Sequence, residues 1–178
     1  MKKTLLEIAM NYGFSEAALI KTEDIIFNHS FLRYCEENLC GFYGKHYTCP
    51  PYCGTPEEME MKVRSFENAL VLKTAYEVED AMDDSAMNPL KRIHTQKSLA
   101  LINEIQKEKP TPYLGAMAVT CFYCDTCMMP EGKPCRCGDK RFACLSAYCI
   151  DVTKLAEMCR MEISWDVHSA SFFSIYLF

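Results

Sequence analysis

The chain has no apolar run approaching the roughly 20 residues that a membrane-crossing helix needs, so a spanning role is not expected. Its start, Met1-Lys2-Lys3 followed by Glu7 and Asn11, has no clean signal-peptide core, and a cytoplasmic location is expected. It has no internal repeat, low-complexity tract or Gly/Ser linker, so 1–178 is expected to form a single domain. No G-x-S-x-G, phosphate-binding Walker loop or G-x-G-x-x-G occurs, which leaves no residue-level argument for nucleophilic catalysis or nucleotide binding. There is no excess of positive charge either. A net charge of −5 gives no sequence-wide attraction to phosphate backbones, and nucleic acid is disfavoured as a partner.

What is present is an ordinary globular composition, 49% hydrophobic and 24% charged, carrying twelve cysteines. In a reducing compartment the thiol pool keeps ordinary disulfides open, and a chain with enough apolar residues for a core does not need them. Metal ligation is therefore the first reading of the cysteines and a disulfide scaffold the second.

The cysteines are segmented. Cys35, Cys40, Cys49 and Cys53 form one group, Cys121 to Cys149 another, and Cys159 stands alone. The stretch between Cys53 and Cys121 reads as scaffold. Thr55 caps a helix with Pro56 at its first position and Glu58 closing a capping box, and Met59, Val63 and Phe66 fall at helical spacing. Ala69 to Leu72 reads as a short buried strand. Leu90, Ile93, Ala100, Leu101 and Ile105 form one helical stripe, ended by Pro110 and Pro112. Leu114 to Val119 reads as a strand, as do Ala17 to Ile20 and Phe172 to Phe178; Leu5 to Tyr12 and Thr153 to Cys159 read as helices. The expected fold is α+β or α/β, with a small sheet of about four strands, flanking helices and two cysteine-rich loops that bind metal.

The segment Cys121-Phe122-Tyr123-Cys124-Asp125-Thr126-Cys127 is C-x2-C-x2-C, with Cys135 following after Pro134. Three thiolates at steps of three residues wrap round a cubane and bind three of its irons, and a later cysteine takes the fourth, so one [4Fe–4S] cluster is expected here. A tetrahedral zinc site more often uses two separated pairs, and zinc is the alternative. The first group, Cys35-x4-Cys40-x8-Cys49-Pro50-Pro51-Tyr52-Cys53, matches no standard ferredoxin run. Gly41 and Gly44 nevertheless allow a tight fold-back between ligands, and the helix starting two residues after Cys53 offers its positive end to thiolates, so a second centre is expected.

The remaining cysteines are open at this level. Cys159 reads as core; Cys137, Cys144 and Cys149 read as free reactive thiols or as ligands of a further centre or in exchange with Cys135, with Cys144 and Cys149 alternatively inert on the buried side of a short helix from Asp139 to Tyr148. Among the histidines only His46, three residues before Cys49, reads as a candidate ligand, whereas His94 lies on the apolar stripe and reads as a satisfied core residue.

Two runs carry a resemblance. Cys40-Gly41-Phe42-Tyr43-Gly44-Lys45-His46-Tyr47-Thr48-Cys49-Pro50-Pro51, and Cys121, Cys124 and Cys127 followed by Pro134-Cys135-Arg136 and Ile150-Asp151-Val152, resemble the paired cysteine motifs of a domain family of unknown function described as predicted metal-binding proteins. The resemblance implies a metal-binding, iron–sulfur role for Cys35, Cys40, Cys49, Cys121, Cys124, Cys127 and Cys135. It implies no activity or substrate. Gly138, Cys137, Cys144 and Cys149 depart from the family's pattern. Three functions compete: an iron–sulfur protein that transfers electrons with a redox partner protein, a zinc-stapled interaction domain without redox chemistry, and a cluster-containing reductase acting with a further cofactor such as a corrinoid or flavin.

Overall fold

A computed structural model describes residues 4–163 and 165–178; Met1 to Lys3, part of the start read as having no clean signal-peptide core, lie outside them. The fold is α+β. A sheet of order β1-β2-β6-β3-β4, with β5 paired to β6, carries helices on both faces. The strands are β1 (Glu16–Lys21), β2 (Asn68–Glu77), β3 (Leu114–Met117), β4 (Ala143–Cys144), β5 (Trp165–Asp166) and β6 (Ser169–Leu177). Four of them have four residues or more, which matches the expected small sheet; β4 and β5 are two-residue additions too short to leave a periodic signal. Among the described residues only β3 and β4 run parallel.

β2 and β6 form the centre and read as near-continuous apolar runs because both of their faces are covered. Ala69 and Val71 face one core with Phe173, Ile175 and Leu177. Leu70 and Leu72 face the other with Tyr176, Leu101 and Ile102, as the period of two requires. Buried Lys73 on β2 is opposite Glu16 on β1 and pairs with it at 2.5 Å, so the charge inside the sheet is compensated.

The helices are α1 (Leu5–Asn11), α2 (Leu32–Glu36), α3 (Pro56–Arg64), α4 (Asp84–Glu108) and α5 (Val152–Cys159). α1 and α4 contribute to the core on the Leu70 face, α3 and α5 to the core on the Val71 face. α3 starts where its sequence predicts: the Thr55 side chain accepts from the Glu58 N–H at 3.2 Å, and the Glu58 carboxylate accepts from the Thr55 N–H at 2.8 Å.

Two sequence expectations are corrected. α4 buries Met87, His94, Thr95, Ser98, Leu101 and Ile102, while Ile93 of the apolar stripe is half-exposed. Two of the buried polar members, His94 and Ser98, are accommodated by hydrogen bonds, which a hydrophobic count does not register: His94 Nδ1 lies 2.7 Å from Thr74 Oγ1, its Nε2 3.1 Å from Ser174 Oγ, and Ser98 Oγ 2.7 Å from the same Ser174 hydroxyl. The alternative of a helix from Asp139 to Tyr148 gives way to a 3₁₀ turn (Gly138–Lys140), β4 and a second 3₁₀ turn (Leu145–Tyr148). Pairing of Ala143 and Cys144 with β3 outweighs the local helical preference. Among the described residues no helix is long and apolar enough to cross a membrane.

Candidate metal centres

β3 and β4 end side by side, with Met117 opposite Cys144, and the cysteines gather around this edge of the sheet. Cys121 follows β3, and Cys144 is the last residue of β4. All described cysteines are free thiols.

The second group lines a pocket of about 290 Å³, counting the part open to solvent, formed by Cys121, Cys124, Cys127, Cys135 and Cys137 with His46, Tyr47, Thr48 and Arg141. The four cysteines marked by sequence meet here, and Cys137 joins them, with its sulfur 3.7 Å from that of Cys124. That is far outside disulfide length. Aromatic contacts anchor the Cys121–Cys127 run: Phe122 and Tyr123 each present an edge-on contact to Phe142 at 5.4 Å, and the Arg92 guanidinium lies over Phe122 at 4.2 Å. The Tyr47 hydroxyl donates to the Lys133 carbonyl at 2.7 Å, tying the first cysteine loop to the second.

The first group is drawn together by α2, which carries Cys35, and by a loop that runs from Cys40 to Cys53 before α3. Gly44, at φ 67°, donates its N–H to the Pro50 carbonyl at 2.9 Å and closes that loop. Gly54, at φ 124°, leads from Cys53 into the capping box, and a Cβ there would stand 2.8 Å from the Glu58 carboxylate, so the position demands glycine. Cys49 and Cys53 are buried, and Cys40 is exposed. Cys144, which sequence did not place with this group, stands within electrostatic reach of Cys35, Cys40, Cys49 and Cys53; Cys53 also reaches Cys35 and Cys49, Cys40 reaches Cys35 and Cys49, and Cys149 reaches Cys35 and Cys53.

Burial dominates the thiol acidities. It pushes Cys35 and Cys49 up to about 12 and Cys53 to about 11, with neighbouring thiols adding to the rise for Cys35. Two features act in the other direction. The Thr120 hydroxyl, 3.1 Å from Cys49 Sγ, lowers Cys49, and the Lys62 ammonium lowers Cys53. Cys121 and Cys144 are also raised by burial, against backbone N–H groups aimed at their sulfurs from Tyr123 and Phe142 in one case and from Ala147 and Ser146 in the other. In the metal-free protein these thiols are therefore neutral at pH 7, and metal uptake must displace their protons.

The donor set fits a soft metal or a cluster. The two groups supply sulfur ligands, with N–H and hydroxyl donors directed at several of them, which is the outer-shell arrangement that supports bound thiolates. Among the described residues no three His, Cys, Asp or Glu side chains already stand close enough to share a single ion.

Sequence reasoning missed three features. His46 lines the pocket of the second group although it lies beside Cys49 in the chain, where burial lowers its pKa and its ring meets Phe42 edge-on at 5.1 Å. Cys137 and Cys144 part company, one to each group. The two groups also touch: the buried Thr120 hydroxyl lies 2.8 Å from that of Thr48 as well as against Cys49, and Thr120 precedes Cys121. The pairs Thr48-Cys49 and Thr120-Cys121 were the available signal. Cys159, packed at the rim of the Val71-face core, is pushed up to about 11 by burial alone and belongs to neither group.

A family model described as predicted metal-binding protein (DUF2284) matches residues 18–178, and the chain belongs to that family. No curated protein and no solved structure matches it.

Proposed function

We propose that this member of the predicted metal-binding family is a cytoplasmic iron–sulfur protein that carries electrons to or from a redox partner protein. In this reading Cys121, Cys124, Cys127 and Cys135 hold one [4Fe–4S] cluster, and the group containing Cys35, Cys40, Cys49 and Cys53 holds another. The observation that carries the reading is the gathering of two cysteine-rich groups at one sheet edge, with Cys121, Cys124, Cys127 and Cys135 lining one pocket. When bound, such a cluster supplies one-electron chemistry at a potential set by burial and by hydrogen bonds to its sulfurs.

The chain's own groups would do the tuning. With Cys49 ionised, the Thr120 hydroxyl donates to its sulfur and accepts from Thr48, so the two groups are joined through one buried hydroxyl pair. Phe122 and Tyr123, packed edge-on against buried Phe142, place aromatic surface beside the second group. Free thiols throughout suit a reducing compartment.

One observation favours zinc as a second reading. Thiolates about 2.3 Å from a tetrahedral zinc stand about 3.8 Å from each other, and Cys124 and Cys137 are 3.7 Å apart. The test is a pair of substitutions in anaerobically loaded full-length protein. Cys124→Ser and Cys49→Ser are each expected to lose about half of the bound metal, and the wild type is expected to show broad visible absorption with matching iron and sulfide. Full metal retained by Cys124→Ser would remove the second centre; zinc without sulfide would establish the alternative.

A further inference from the structure

We infer that Cys144, at the end of β4, is a metal ligand of the first centre. The inference rests on the reading of the Cys35–Cys53 group as a metal centre and adds to it a residue 91 positions beyond Cys53. Its support is positional. β4 delivers Cys144 to the sheet edge beside β3, and the turn that follows, Leu145–Tyr148, packs against both α2, which carries Cys35, and α3, which Cys53 immediately precedes. Cys144 packs on the same buried cluster as Cys53, Leu145 and Tyr148. Its sulfur thus emerges between the two segments that bring the other thiols, and Cys35, Cys49 and Cys53 all feel it.

The local backbone fits a thiolate better than a thiol. The N–H groups of Ser146 and Ala147 are directed at the Cys144 sulfur inside an apolar surround. A neutral thiol is a weak acceptor, whereas a metal-bound thiolate takes such N–H groups as the outer-shell bonds that ligating sulfurs receive. Cys159 shows what an inert, partly buried cysteine looks like in this chain: burial acts on it, and no other thiol does. The parallel pairing of β3 and β4 then has a functional consequence, because neighbouring strand ends send one cysteine to each centre, Cys121 to the second and Cys144 to the first.

The test uses the full chain loaded anaerobically with iron and sulfide, and separately with zinc. Cys144→Ala is expected to hold about half the wild-type metal, as Cys49→Ala does, with the double variant losing no more than either alone and Cys159→Ala losing none. Full metal in Cys144→Ala beside half in Cys49→Ala overturns the inference and leaves the centre standing. Full metal in both Cys49→Ala and Cys53→Ala overturns the centre and the inference together. A second measurement leaves Cys144 in place. In loaded Cys49→Ala, alkylation read by peptide mass spectrometry should reach Cys144 together with Cys35 and Cys53, at least tenfold faster than in loaded wild type, while Cys121 stays protected. Labelling of Cys53 with Cys144 still protected contradicts ligation.

Discussion

The Thr120 hydroxyl is the smallest group on which both cysteine groups depend, being the neighbour of Cys121 in the chain and of Cys49 in space. Thr120→Val removes the donor to Cys49 and leaves the buried Thr48 hydroxyl short of a partner, which costs about 1–3 kcal/mol. Urea unfolding of the metal-free protein should show that loss, and redox titration of the loaded protein should show the first centre's potential moving downward, since a thiolate without its hydrogen bond stabilises the oxidised state. An unchanged potential would mean that Thr120 is structural only. His94 gives a second residue-scale expectation. Burial holds it far below its ordinary 6.5, at about 3, so the folded protein keeps it neutral while the unfolded chain protonates it. Stability is therefore fully present above about pH 6.5 and is lost as pH falls toward 3. Denaturant midpoints across that range should fall steeply in wild type and less so in His94→Ala; equal slopes would contradict the assignment. The role of His94 was legible from its place on an apolar stripe. That of Cys144 was not, because nothing local separates a cysteine delivered by a two-residue strand from one on a helix.

At the scale of elements, legibility followed how local the cause is. α3 was readable to the residue because its cap, Thr55-Pro56-Glu57-Glu58, is written in four consecutive positions. Thr55→Ala should cost about 1 kcal/mol in urea unfolding, and no loss would show that the cap is redundant with packing of Met59 and Val63. The buried face of α4 departs from the apolar stripe because His94 and Ser98 are paired with β2 and β6, partners that lie 20 to 80 positions away. The helical alternative for Asp139 to Tyr148 fails for a similar reason, the strand there existing only through β3. Each cysteine run was visible as a run. What the sequence did not show was which extra thiol joins which group, since that is set by the strand order β6-β3-β4.

For the whole molecule, the sheet edge separates two thiol-rich regions, one beside the Val71-face core and one beside the Leu70-face core, and joins them through Thr48 and Thr120. Buried thiols raised to about 11 or 12 from an ordinary 9.0 bind protons more tightly in the folded state than in the unfolded one. The metal-free protein should therefore lose stability as pH rises from about 9 toward 12, whereas the loaded protein, whose ligands are already deprotonated, should not. Thermal melts of both forms at pH 8 and pH 10 check this, and parallel behaviour would contradict it. Uptake itself should strengthen with pH as protons are displaced. The central claim, two all-thiolate iron–sulfur centres, is tested most directly by the iron, sulfide and zinc content of protein purified without oxygen. About eight irons and eight sulfides per chain, with broad visible absorption that bleaches on reduction, is the expected result for two cubanes. Stoichiometric zinc in colourless protein without sulfide would contradict it.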